Sequence, residues 1–245
     1  MGLKEFFFGA KDPEGRPKNI VKAEQKITNM FLQAADRQYF LDQLRVDGSE
    51  AAVRVMLKRF ASQCENLTID RDEKEMTCHF LVSIGPSVIP TLQDYLRRND
   101  EFVNWPLAAL RELMTPDDFT TFIADLLDRV GPDYVRHPER KEQLMLAAKD
   151  LPSEAVTRAL LPYLTDHSET IRFLATDALL THANPLAVNA LVEARFEEES
   201  QRVITRAFDG LAALGWEVPE DLVEPLRAKL AYPYALSADR KVIKQ

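Results

Sequence analysis

Glycine is scarce in this sequence, at 8 of 245 residues, too few for the turns of a loop-rich β fold. Cysteine is scarcer still. Cys64 and Cys78 cannot make a disulfide framework in a chain of this length, so both are expected as free thiols. No run approaches 18 apolar residues, and no segment reads as a membrane span. Residues 1–10 lack a signal-peptide plan, since their apolar block is only Phe6-Phe7-Phe8, and Gly2 is not followed by the Ser/Thr of a myristoylation site. The cytoplasm is the expected location. The histidines, His79, His137, His167 and His182, show no metal-ligand spacing, and adjacent Cys78 and His79 would point about 100° apart on a helix. There is no Gly-rich phosphate loop, no HExxH and no GxSxG. The chain is therefore expected to be non-catalytic, without metal or cofactor.

Charge is plentiful but uneven. The net charge is −8, with residues 1–60 at +3 and the rest at −11. An acidic body repels phosphate backbones, which argues against nucleic acid as the main partner.

The chain repeats itself within residues 152–215. With Ala175 laid on Ala207, Asp177 falls on Asp209 and Leu179 on Leu211. The preceding helix matches at the same 32-residue offset, Val156 on Val188 and Leu164 on Phe196. At an offset of 68, Leu92, Tyr95 and Leu96 fall on Leu160, Tyr163 and Leu164. Such periods belong to solenoids, in which each helical hairpin covers its neighbour's apolar face. The fold class is all-α.

Asn19 reads as the cap of a first helix through Ile20, Ala23, Ile27 and Met30. A second run, with Phe40, Leu41 and Leu44, ends at Asp47-Gly48, and Ser49 opens a third. A polar loop is expected near residues 65–72. Pro106 should kink or shift its helix. Thr115-Pro116-Asp117-Asp118 is a helix start, with Pro at the first position and acids in the first turn. Pro219-Glu220-Asp221 opens a last helix with no partner after it. The layout expected is an irregular segment 1–18, an array over 19–231 and a tail over 232–245, which lies over the last helix or is a mobile end. Phe6-Phe7-Phe8 either caps the first helices or docks elsewhere.

The unit from Leu81, LVSIGPSVIPTLQDYLRRNDEFVNWPLAALREL, resembles the HEAT repeat, in particular its short bacterial HEAT-like form. The Ile84-Gly85-Pro86 junction, Val88-Ile89-Pro90 with Leu92, and a second helix ending in Ala-Leu carry the likeness. DHSETIRFLATDALL matches the second-helix pattern through Ile171-Arg172, Ala175 and Ala178-Leu179. The resemblance implies a right-handed α-α superhelix of about six hairpins plus a closing helix. It also implies an Asp–Arg ladder, fitted here by Asp166 and Arg172, while Arg98 and Asn104, and Glu198 and Ile204, stand in those places in other units. The function implied is a scaffold or adaptor for a protein or peptide. Two enzyme groups with similar repeats, phycobilin lyases and alkylpurine DNA glycosylases, are the alternatives; the acidic body disfavours the second.

Helical geometry marks a candidate surface. With Ala175 central to the buried stripe, Phe173 and Asp177 lie on the opposite face. The positions equivalent to Phe173 are Trp105, Met145 and Thr205; those equivalent to Asp177 are His79, Ala109, Lys149 and Asp209. In HEAT-like arrays this face looks into the concave groove. Trp105, Met145 and Phe173 would form an apolar stripe for a partner, flanked by Lys149, Asp177, Asp209 and His79. The competing reading buries these side chains between repeats, through superhelical curvature or the Pro106 kink.

Overall fold

Five α-helix starts among the described residues are set by a capping side chain that accepts a backbone N–H, those at Ser49, Asn66, Thr115, Ser153 and Ser200. The computed structural model describes residues 15–245, and the Phe6-Phe7-Phe8 expectation lies outside them. The chain divides into two compact units, one ending at Met114 and the other beginning at Thr115.

The first unit contains α1 (Lys18–Ile27), α2 (Ala34–Asp47), α3 (Glu50–Leu57), α4 (Leu67–Ile84), α5 (Ile89–Arg98) and α6 (Asn104–Leu113). Helices α2, α4 and α6 pack side by side in one row, and α1, α3 and α5 in another. The first helix begins at Lys18, with Pro17 in the cap position, so Asn19 sits inside the helix and does not cap it. Ser49 does cap α3, its Oγ accepting from the Ala52 N–H at 3.2 Å. The polar loop is shorter than expected. Asn66 accepts the N–H groups of Thr68 and Ile69, and α4 starts at once. Pro106 is the third residue of α6, in a first turn whose N–H groups have no intrahelical acceptor, so it removes no intrahelical hydrogen bond.

The interior of this unit is partly ionic. Arg59, fully buried, donates to Asp70 at 2.8 Å and Glu73 at 3.0 Å, and Arg37 donates to Glu73 at 2.6 Å. Lys74 closes the group on Asp70 at 2.7 Å. Burial alone would push the Asp70 carboxyl up. Lys74, Arg59 and the Cys64 N–H together outweigh it and hold Asp70 below the usual carboxylate range.

The second unit contains α7 (Pro116–Val130), α8 (Glu139–Lys149), α9 (Glu154–Leu160), α10 (Glu169–His182), α11 (Val188–Glu193), α12 (Gln201–Leu214), α13 (Glu220–Lys229), β1 (Tyr234–Leu236) and β2 (Val242–Lys244). Thr115 caps α7, with Pro116 at the first helical position and Asp117 and Asp118 in the first turn. Helix α10 lies between α8 and α12, while α7 packs on α9 and α11 on α13. The described residues thus form thirteen α-helices, an all-α helical repeat architecture. None of these helices is long and apolar enough to cross a membrane.

The tail takes a defined form. Strands β1 and β2 pair antiparallel, Ala235 opposite Ile243, and β2 packs on α12. Val242 is buried in a cluster with Phe208, Leu211, Leu222 and Leu226. A hairpin, not a further helix, covers the apolar faces of α12 and α13.

Candidate functional site

In the second unit, Lys149 ends α8, Phe173 and Asp177 lie one turn apart on α10, and Asp209 lies on α12. Ser200 sets the start of α12 by accepting the Val203 N–H, and Gly215 ends it in a left-handed conformation at φ 61°. Asp177 joins three helices: it accepts Lys149 Nζ at 2.6 Å and Arg206 Nε at 2.7 Å. Burial would raise its carboxyl, but Lys149 and Arg206 outweigh this and hold it below the ordinary range. Asp209 accepts Lys244 Nζ at 2.7 Å and the Tyr234 hydroxyl at 2.8 Å, and these bonds depress its carboxyl. A row of alternating charge therefore runs from α8 through α10 and α12 to the hairpin.

Phe173 stands beside this row, half-buried, with the Arg202 guanidinium 3.8 Å from its ring centroid. Arg202 is also paired with Glu169 at 3.3 Å, and Ser200 donates to Glu169 at 3.0 Å. The aromatic face is stacked on a held cation.

Met145 does not belong to this surface. It is 1% exposed and lies in the core with Leu144 and Ala148. Helix α8 buries Arg140, Lys141, Leu144, Met145 and Ala148, so its buried stripe centres one residue later than the match of Met145 to Phe173 suggested. One residue turns a helix by about 100°. By that count Leu146, 49% exposed, takes the outward place expected for Met145.

Trp105 and His79 lie in the first unit. Trp105 is half-buried on α6, where its carbonyl is 3.7 Å from Cys78 Sγ, and His79 is exposed on α4. Ala109 is buried, whereas Thr205 is exposed. The structure thus joins Lys149, Asp177 and Asp209 with Phe173 in one unit.

Arg206, Arg202, Tyr234 and Lys244 escaped the sequence reading. The spacing Arg202–Arg206–Asp209, one turn at a time on one side of α12, was a visible signal for the first two. For Tyr234 and Lys244 there was none, because they arrive on a hairpin. Among the described residues no three of His, Cys, Asp and Glu are grouped to hold a metal. No family model matches the chain, and a search of curated proteins finds no match.

Proposed function

We propose that the chain is a non-catalytic binding protein of the HEAT-like type, a scaffold or adaptor that holds a peptide or protein segment on the α8–α10–α12 face of its second unit. The observation that carries this reading is Phe173 under Arg202, flanked by the Lys149–Asp177–Arg206 row. Aromatic and Arg side chains are the commonest interface anchors, and charges held by neighbours fix the register of a partner at little ordering cost. Leu146 adds exposed apolar surface on α8. Trp105 and His79 on the first unit are not needed for this site.

The test begins with affinity capture from native cells, identification of the captured protein and titration with that protein purified. Phe173→Ala should weaken binding by at least about tenfold, the loss of one good anchor. Lys149→Ala should act mainly on the salt-dependent association rate. A large fall in melting temperature with a proportionate loss of binding would make Phe173 a core residue and end the proposal.

A further inference from the structure

The charged row along α8, α10 and α12 has its carboxylates occupied and its guanidiniums only partly so. Asp177 accepts Lys149 through one oxygen and Arg206 through the other. Asp209 accepts Lys244 and the Tyr234 hydroxyl. Arg202 gives only Nη1, to Glu169, at 3.3 Å. Its Nε and Nη2 have no acceptor among the described residues, and neither do the two terminal nitrogens of Arg206. A guanidinium carries five N–H donors and no acceptor, so what these two arginines still offer is donors alone.

Both guanidiniums are placed in advance and open to solvent. That of Arg202 lies 3.8 Å from the Phe173 ring centroid, with the side chain 55% exposed. The aromatic face holds it there without taking an N–H. Arg206 is fixed at Nε by Asp177. Arg202 and Arg206 stand four residues apart on α12, a rise of about 6 Å, and meet Phe173 and Asp177, four apart on α10. The row sets Lys149, Arg202, Arg206 and Lys244 against Glu169, Asp177 and Asp209. One positive charge is left over, in a chain whose net charge is −8.

Carboxylates complement such a face. Each is planar, charged and acceptor-only, and takes two parallel N–H groups from one guanidinium. Glutamates on alternate residues of an extended segment project to one side about 6.6 Å apart. That is close to the step of about 6 Å from Arg202 to Arg206. We propose that the segment held on this face is acidic, with two carboxylates that seat on Arg202 and Arg206. The inference rests on the binding role proposed above and adds to it the chemistry of the partner.

The test titrates the whole protein, at constant ionic strength, with a short capped peptide carrying glutamate on alternate residues. Twin peptides carry glutamine or lysine in those places, and fluorescence anisotropy compares the affinities. The glutamate peptide should bind at least about tenfold more tightly than either twin. Arg202→Gln and Arg206→Gln should each weaken its binding by about tenfold, and Arg202→Gln should leave the melting temperature little changed. Arg129→Gln, which removes an exposed arginine of α7 paired with Asp125, should leave the affinity unchanged. That control separates seating on this face from attraction to charge in general. The acidic choice falls, with the binding face intact, if a twin binds as tightly as the glutamate peptide and Phe173→Ala weakens it about tenfold. Equal losses in Arg129→Gln and Arg202→Gln overturn the proposal as well. If no peptide binds, or none responds to Phe173→Ala or Arg202→Gln, the acidic partner and the binding face fall together.

Discussion

Asp166 and Arg172 are joined through the Asp166 carbonyl, which accepts Arg172 Nη1 at 2.9 Å, and not through the Asp166 carboxylate. The carboxylate reaches back to Lys141 on α8 at 2.6 Å, and the guanidinium reaches forward to Glu198 ahead of α12. The side chains of Asp166 and Arg172 thus form a relay with Lys141 and Glu198. It ties three successive helix pairs of the second unit together at the turns.

Lys141 and Asp166 are both buried, their side chains 2% exposed, so each depends on the other. Lys141→Met should destabilise the protein by about 3–5 kcal/mol, because it leaves a carboxylate buried without its counter-ion. The Lys141→Met, Asp166→Asn pair should recover part of that loss. Urea denaturation of the four proteins measures the coupling, and strict additivity would refute it.

Gly210 of α12 lies against Leu180 of α10. A Cβ there would lie 2.8 Å from Leu180 Cγ and nearer still to both of its methyl carbons. Gly210→Ala gains about 1 kcal/mol of helix propensity but should lose more by overpacking, typically about 1–3 kcal/mol. Adding Leu180→Ala should relieve the clash, so that Gly210→Ala becomes stabilising in that background. Thermal melts of the cycle decide it.

The depressed Asp70 carboxyl makes stability fall in acid. Its folded pKa lies below the unfolded value, about 3.9. The contribution is therefore complete above the unfolded value and is lost as pH falls through the folded one. Asp70→Asn should be less stable than the wild type near neutrality and should lose stability less steeply between about pH 5 and pH 2. Parallel slopes in urea titrations over that range would contradict the assignment.

Val242 holds the C-terminal hairpin on the cluster of Phe208, Leu211 and Leu226. Val242→Ala should cost about 2 kcal/mol, whereas Ile243→Ala, at a 40% exposed position on the same strand, should cost far less. Equal effects in chemical denaturation would mean that the hairpin does not seal the core.

Both cysteines are buried free thiols, and burial, with help from Glu112 and Glu75, pushes Cys78 up to about 11. Disulfide exchange with a thiol reagent at pH 8 should be slow for both in the native protein, because the thiolate is the attacking form. Two thiols should react promptly in denaturant.

Helices, their stops and their repeat were legible in the sequence because they follow from near-neighbour chemistry. Apolar spacing, Ser49, Thr115, Gly48 and Gly215 act within one turn of where they stand. The outward face of α10 was legible as well, since Ala175, Phe173 and Asp177 share one helix and their angles follow from 3.6 residues per turn. Met145 was misread because alignment across repeats carries a one-residue error into a turn of about 100°, and only packing between α7 and α10 settles which side of α8 is inside. The charged interior was not legible at all. Arg37 meets Glu73 across 36 residues and Lys141 meets Asp166 across 25. Periodicity records where side chains point, not which opposite charge will be waiting there. So the sequence by itself determined a helical repeat and its punctuation, while the tertiary structure decided which charges are buried, which are paired, and that the Arg195 guanidinium has no hydrogen-bond partner among the described residues. The reason is that a lone charge on a helix tolerates either side, and only the group brought against it from another repeat makes burial affordable.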